Sequence, residues 1–236
     1  MAQQYNGPRR PQRERNILDD GKFKLSAPPL PGAKDRPSLQ PGFERNNPYL
    51  LVRTGFPNDK DYGKIKAKMD MEAFQHIFVL LERVCSSDKP SQYTQDNKGK
   101  PFINGQPSKD LLVETTTVVG RDDKGRIYIS VLSYDKSRPK VIFYFGDRYY
   151  HATHSKDESY STADKSTDRC RSWMRSIEKV LGPVAAANWV PPDNDQNGGN
   201  RGGGGGGGGY NQRGNSAPVE VETPSEASSY EDNLPF

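Results

Sequence analysis

Apolar residues recur at helical spacing in two stretches of the chain, three or four positions apart. The first stretch follows Asp70, a favourable N-cap, and ends at Ser86-Ser87. The second runs from about Asp164 to Leu181, and Gly182-Pro183 is expected to stop it. The two stripes share one spacing and consist of Phe74, Ile77, Phe78, Leu81, Val84 and Cys85, and of Cys170, Trp173, Met174, Ile177, Val180 and Leu181. Each stretch is therefore predicted to be an amphipathic helix.

Alternating or β-branched segments predict five strands around these helices. The segments are 49–56 and 64–69 before the first helix, and 111–119, 126–134 and 140–145 before the second. The last three are expected to form an antiparallel meander, with a hairpin turn at 122–125. The polar stretch 87–108, which contains three prolines, is predicted to be a long surface loop.

The resulting order, β-β-α and then β-β-β-α, predicts an α+β fold. In this fold a curved antiparallel sheet carries two amphipathic helices. The repeated strand-then-helix order resembles the Whirly and transcriptional-coactivator architecture, which grips single strands on a curved sheet. The alternative is an OB-fold barrel with an extra C-terminal helix.

The chain is too polar to bury a core along its whole length, because only 32% of its 236 residues are hydrophobic. Proline and arginine in residues 1–47 predict an extended arm, in which Arg9, Arg10, Arg13 and Arg15 are either phosphate contacts or solvated charges. Residues 48–190 are expected to form one folded body. A disordered Gly-rich linker (191–217) and an acidic tail (218–236) are expected to follow.

Charge is distributed unevenly along the chain. The net charge is +4, but residues 214–236 hold five acids and no Lys or Arg, which leaves +9 on residues 1–213. A basic body with an acidic tail is typical of proteins that bind polyanions such as nucleic acids. It is also compatible with proteins that bind no nucleic acid.

Other function classes have little support in the sequence. Cys85 and Cys170 lie within the apolar stripes and are predicted to be buried thiols in a reducing, cytoplasmic compartment. We expect no membrane contact, because no apolar run is long enough to cross a bilayer. The glycine run 202–209 lacks the Lys-Ser/Thr of a phosphate-binding loop, and His151 and His154 lack a third ligand at metal-binding spacing. We therefore expect no enzyme activity, no cofactor and no metal.

The last residues, Asp232-Asn-Leu-Pro-Phe236, follow a Gly-rich linker and end in an aromatic ring beside the terminal carboxylate. This ending resembles the acidic, Pro-Phe-terminated tip of bacterial and phage single-stranded DNA-binding proteins. The resemblance covers the last five to seven residues and the layout of linker and body. It implies that replication, recombination and repair enzymes dock on the tip. The residues to which it assigns this role are Glu231, Asp232, Leu234, Pro235 and Phe236.

A single-strand binder needs cationic side chains for the phosphates and flat rings on which bases stack. Strand alternation places one group of cationic and tyrosine side chains opposite the apolar face. The predicted nucleic-acid contacts are Arg53, Lys64, Lys66, Lys68, Arg126, Tyr128, Tyr134, Lys140, Tyr144, Arg148 and Tyr149. Each tyrosine could equally be a half-buried strand residue, and the lysines could protect an edge strand from pairing.

Together these patterns predict a protein that coats single-stranded DNA without sequence specificity and recruits enzymes through its tip. A compact chain with its own tail suits a phage that encodes its replication set, in which case it acts in the host cytoplasm. The alternatives are an RNA-binding or transcription-regulating protein, and an adaptor that binds no nucleic acid. The sequence leaves the oligomeric state open, with a homo-oligomer as one alternative.

Overall fold

The computed structural model describes residues 15–103, 106–147, 151–156 and 159–191. Over these ranges the protein is α+β, as predicted, with two four-stranded antiparallel sheets. The strands are β1 (Leu25–Ser26), β2 (Ser38–Glu44), β3 (Asn47–Arg53), β4 (Lys64–Lys68), β5 (Ser91–Gly99), β6 (Phe102–Ile103), β7 (Gln106–Pro107), β8 (Leu112–Arg121), β9 (Ile127–Ser133) and β10 (Phe143–Tyr144). The helices are α2 (Met71–Cys85) and α3 (Thr162–Ala187), and a single turn, α1 (Lys60–Gly63), contains left-handed backbone conformations.

The two halves of the chain have the same organisation. The first sheet has the order β1-β2-β3-β4 and is followed by α2, and the second has the order β5-β8-β9-β10 and is followed by α3. The two-stranded β6–β7 ribbon is an insertion in the second half. The predicted strand-then-helix repeat is therefore present, with four strands in each half and two sheets where one was expected. The described residues do not form the closed barrel of the OB-fold alternative.

One core is shared by both halves. The inward positions of both sheets and the apolar faces of α2 and α3 belong to a single buried cluster. Trp173 of α3 lies edge-on to Phe78 of α2, with ring centroids 6.0 Å apart, and also contacts Phe145 at 5.5 Å. Its indole N–H donates to the Phe23 carbonyl at 2.8 Å, so the ring is fixed at both its apolar and its polar end. The two cysteines are free and buried, as expected.

The described part of the segment before residue 47, which begins at residue 15, differs from the predicted extended arm. It contributes two 3-10 turns at Ile17–Asp19 and Gly21–Phe23 and the strands β1 and β2, and it buries Leu18, Leu39 and Phe43 in the core. Prolines here do not prevent strand formation, because β1 pairs only with the first two residues of β2. Pro41 pairs with Leu50 on one side, and its missing N–H faces no strand on the other.

The predicted loop at 87–108 contains β5, which pairs along its length with β8. The sequence does not indicate a strand here, because the inward positions of β5 are mostly polar residues, among them Gln95. The Gln95 side chain faces α2, where its amide donates to the Ala73 carbonyl at 2.9 Å. A half-buried amide with its own hydrogen-bond partner therefore takes the place of the apolar side chain that would indicate a strand.

The C-terminal helix is longer at both ends than predicted. Ser161 is its N-cap and forms a capping box with Asp164, and the helix continues past Gly182-Pro183 to Ala187. Val184 is buried, so tertiary packing of this last turn outweighs the local preference for a break. In contrast, α2 is capped by Asp70 and ends at Cys85 as expected. No helix in the described ranges combines the length and apolar character needed to cross a bilayer.

Candidate nucleic-acid interface

A row of lysines lies on the outer face of the first sheet. Lys64, Lys66 and Lys68 are exposed on β4, while Ile65 and Ala67 between them are buried in the core. Their positions follow from the two-residue period of a strand, which sends alternate side chains to opposite faces. Arg53, exposed on β3, is the cross-strand partner of Lys64 and extends the row across the sheet.

The central lysine of this row is already engaged. Lys66 forms an ion pair with Glu44 of β2, and its ammonium lies 4.2 Å from the centre of the Tyr49 ring. Tyr49 is almost fully buried, and its ring covers the backbone of Gly42 directly across the strands. A Cβ on residue 42 would collide with that ring. The charge available to an anion on this face therefore comes mainly from the ends of the row.

The second sheet carries an aromatic cluster on its outer face. Tyr128 of β9 and Tyr144 of β10 are cross-strand partners, and their rings meet edge to face with centroids 5.9 Å apart. The Arg126 guanidinium lies 4.1 Å from the centre of the Tyr144 ring. Asp122 holds that guanidinium through an ion pair of 2.8 Å and also accepts from the Arg126 backbone N–H. The cluster is thus fixed before any ligand arrives.

Two ionisable groups in this cluster have shifted pKa values. Burial alone would raise the pKa of Asp122, but the backbone and side-chain hydrogen bonds from Arg126 outweigh it and hold the pKa below its usual range. Burial raises the pKa of the Tyr128 hydroxyl above that of a free phenol. This hydroxyl is hydrogen-bonded to the Gln92 side chain at 2.9 Å.

In both sheets a tyrosine ring packs on a glycine of the neighbouring strand. The Tyr128 ring covers Gly120, its cross-strand partner on β8, just as Tyr49 covers Gly42 in the first sheet. In each half the glycine is on the second strand of the sheet and the tyrosine is on the third. A ring packed on a cross-strand glycine lies flat on the sheet and covers its backbone. Neither pair can be predicted from the sequence alone, because the strand register is needed to recognise it.

Arg138 joins the two sheets. It lies in the connection between β9 and β10, and its side chain is only 5% exposed. The guanidinium bonds the Asp59 carboxylate at 2.9 Å, the Lys60 carbonyl at 2.7 Å and the Lys64 carbonyl at 3.0 Å. The start of β4, and with it the lysine row, is therefore clamped to the loop that leads into the aromatic cluster. No local pattern in the sequence predicts this role for Arg138.

Lys140 and Tyr134 flank Arg138 in the same loop, and both are exposed. Lys140 was expected to lie in a strand, but β10 is confined to Phe143–Tyr144. Arg138 draws the loop towards the first sheet, and Ser130 donates to the Val141 carbonyl at 2.6 Å, which replaces a ladder bond. Lys140 therefore belongs to the clamped loop rather than to the outer face of the second sheet.

The remaining predicted contacts lie outside the described residues. They are Arg148 and Tyr149, the arginines at positions 9, 10 and 13, and the tail residues Glu231, Asp232, Leu234, Pro235 and Phe236. Of the predicted contacts that are described, Arg53 and the β4 lysines lie together on one sheet, and Arg126, Tyr128 and Tyr144 lie together on the other.

This arrangement combines exposed cations with rings that are held in place, and these are the two elements that contact the backbone and the bases of a single strand. Among the described residues, no group of three His, Cys, Asp or Glu side chains is placed to hold a metal ion. Comparison with protein-family models, with curated proteins and with solved structures finds no match for this chain.

Proposed function

We propose that the body binds single-stranded DNA without sequence specificity, as a binding protein rather than an enzyme. The observation that carries the proposal is the Arg126–Tyr144–Tyr128 cluster, in which rings and guanidinium are fixed on the sheet surface. In this proposal bases stack on the cluster. The phosphates contact the lysine row, which Arg138 ties to the loop entering the cluster.

Stacking on a protein ring contributes about 1–3 kcal/mol per base and is insensitive to base identity. Phosphate contacts add a term that depends on salt. Each phosphate contact on a single strand contributes about −0.7 to the slope of the logarithm of the association constant against the logarithm of the salt concentration. Four contacts, one each from Arg53, Lys64, Lys68 and Lys140, should therefore give a slope of about −3. Lys66 is left out of this count because Glu44 already neutralises it.

Binding to labelled poly(dT) across a salt series tests the proposal, with fluorescence anisotropy as the readout. We expect the Tyr128→Leu and Tyr144→Leu proteins to bind more weakly while melting as cooperatively as the parent, because leucine keeps the apolar contact and loses the stacking surface. If both variants bind like the parent, the bases lie elsewhere. A preference for poly(U) or for one defined sequence would instead favour an RNA-binding or regulatory protein.

We further propose that the C-terminal tip recruits replication and recombination enzymes, in the cytoplasm of the host if a phage encodes the chain. The support is the resemblance of Glu231-Asp-Asn-Leu-Pro-Phe236 to the tips of single-stranded DNA-binding proteins. A protein that lacks Leu234–Phe236 should keep its oligonucleotide affinity and lose its enzyme partners. Retained partner binding would refute this role. Partner binding by a body with no salt-dependent affinity for oligonucleotides would favour the adaptor alternative.

A further inference from the structure

Three consecutive residues between β3 and β4 have left-handed backbone conformations. Asp61 has φ 54° and ψ 33°, Tyr62 has φ 55° and ψ 39°, and Gly63 has φ 72°. Residues other than glycine adopt this region rarely, and then almost always singly, because the Cβ crowds the following carbonyl oxygen. A bulky tyrosine inside a left-handed turn is therefore strained, and the surrounding structure must hold it there.

The surroundings hold this turn from several directions. The Arg138 guanidinium binds the Asp59 carboxylate before the turn, the Lys60 carbonyl at its start and the Lys64 carbonyl after it. The Gly63 carbonyl accepts from the Thr54 backbone N–H at 2.8 Å. A Cβ on residue 63 would stand 2.5 Å from the Phe56 carbonyl oxygen, which belongs to the backbone and cannot easily move aside, so the position requires glycine.

Packing of the Tyr62 side chain does not offset the backbone strain. Tyr62 is 84% exposed, and within the described residues its side chain has no hydrogen-bond or ring partner. A turn that is fixed so firmly and yet presents an aromatic ring to solvent is typical of a recognition element, because residues held in unfavourable conformations cluster at ligand clamps.

The charges around the turn favour a polyanion. Lys60 and Lys64 flank Tyr62 in sequence, and Lys136 and Lys140 flank Arg138 on the other side of the clamp. Two of the three nearby acids, Asp59 and Asp135, are engaged, whereas Asp61 is 66% exposed. Arg138 pairs with Asp59 and lies 3.6 Å from the Asp61 carboxylate, and Asp135 accepts two hydrogen bonds from Ser137.

We propose that Tyr62 stacks on a base of the bound single strand, with the adjacent phosphates on Lys60 and Lys64. This inference rests on the proposed single-strand binding and adds a contact that the outer faces of the sheets do not contain. Because the turn is already fixed in the free protein, the ring is offered without the entropy loss of ordering a flexible loop on binding.

The test compares two ligands of equal length, poly(dT) and a sugar-phosphate oligomer without bases. Tyr62→Leu should weaken poly(dT) binding at least about fivefold, which is the lower limit for loss of one stack, and leave the affinity for the base-free oligomer unchanged. Tyr62→Phe keeps the ring and should bind like the parent. Tyr62→Gly, which suits the left-handed backbone, repeats the test if the leucine variant folds poorly.

Trp189→Leu is the matched control, because it removes an exposed ring far from the turn along the first sheet. Trp189 is 63% exposed, and its neighbour Val190 is bonded to Asn46, at the opposite end of β3 from the turn. Parental binding to poly(dT) by both Tyr62→Leu and Tyr62→Gly would overturn the inference while leaving the proposed function intact. If the parent itself binds neither ligand, the proposed function fails and the inference with it.

Discussion

Replacing Arg138 by Met tests whether the clamp between the sheets holds the interface together. Methionine keeps most of the buried stem of arginine and removes only the guanidinium. The Arg138 and Asp59 side chains are 5% and 15% exposed, so the change leaves a carboxylate with little solvent. Loss of one partner from a buried ion pair costs about 3–5 kcal/mol. For a body of this size that corresponds to a fall in Tm of roughly 6–20 °C.

Arg171 provides the matched control. It pairs with Glu82 at 2.9 Å, as close as Arg138 is to Asp59, but these side chains are 34% and 51% exposed. Solvent screens such a pair, so Arg171→Met should cost at most about 1 kcal/mol. Urea denaturation of both variants measures the difference directly. An Arg138→Met protein that is no less stable than Arg171→Met would refute the reasoning.

A double-mutant cycle with Asp59→Asn isolates the ion pair from the carbonyl bonds. Asparagine retains the side-chain oxygen that caps the turn at Lys60, where the Asp59 carboxylate accepts from the backbone N–H at 2.8 Å. The coupling energy therefore reports the charge interaction with little change in capping.

Poly(dT) affinity, measured well below the melting temperature, should also fall in Arg138→Met, because the start of β4 loses its anchor.

Two further predictions concern the aromatic cluster. Gly120→Ala would place a methyl group under the Tyr128 ring and 2.7 Å from the Ser91 carbonyl oxygen, so it should lower both the free energy of unfolding and the affinity for poly(dT). Gly146→Ala is the control and should change neither, because a Cβ there meets open space. The pKa of Asp122 is lower in the folded than in the unfolded state. The pairing of Asp122 with Arg126 therefore stabilises the fold above the unfolded pKa of about 3.9, and this stabilisation is lost as the pH falls through the folded pKa. Asp122→Asn should therefore reduce the acid-induced loss of stability below about pH 4 in urea titrations, and an unchanged pH profile would contradict this assignment.

The features that the sequence predicts correctly are those determined by nearby residues. The alternation Lys64-Ile-Lys-Ala-Lys68 specifies both a strand and the face that its lysines occupy, and the structure has β4 over these five residues. The first long helix has its cap, Asp70, and its apolar stripe within one continuous stretch. Both depend on periods of two or 3.6 residues, which are visible without any knowledge of the fold.

The features that were not predicted depend on distant partners. Arg138 acquires its role from residues 74 to 79 positions earlier in the chain, and no local pattern distinguishes it from a surface arginine. The glycine–tyrosine pairs require the strand register. The polar strand β5 becomes a strand because β8 pairs with it. Pro183 remains inside a helix because Val184, which follows it, is buried in the core, a tertiary effect that outweighs local propensity.

The core shared by the two halves has a consequence for synthesis of the chain. Phe78 leaves the ribosome with the first half, but Trp173, against which it packs, lies about 95 residues later. At elongation rates of roughly 5–20 residues per second, the apolar face of α2 lacks its C-terminal cover for about 5–20 seconds. During that interval the nascent first half exposes an apolar surface that can aggregate. The fraction of chains that fold without aggregating would then depend on chaperone binding to this surface. It would also depend on where slowly translated codons lie, because only those before Trp173 prolong the exposure.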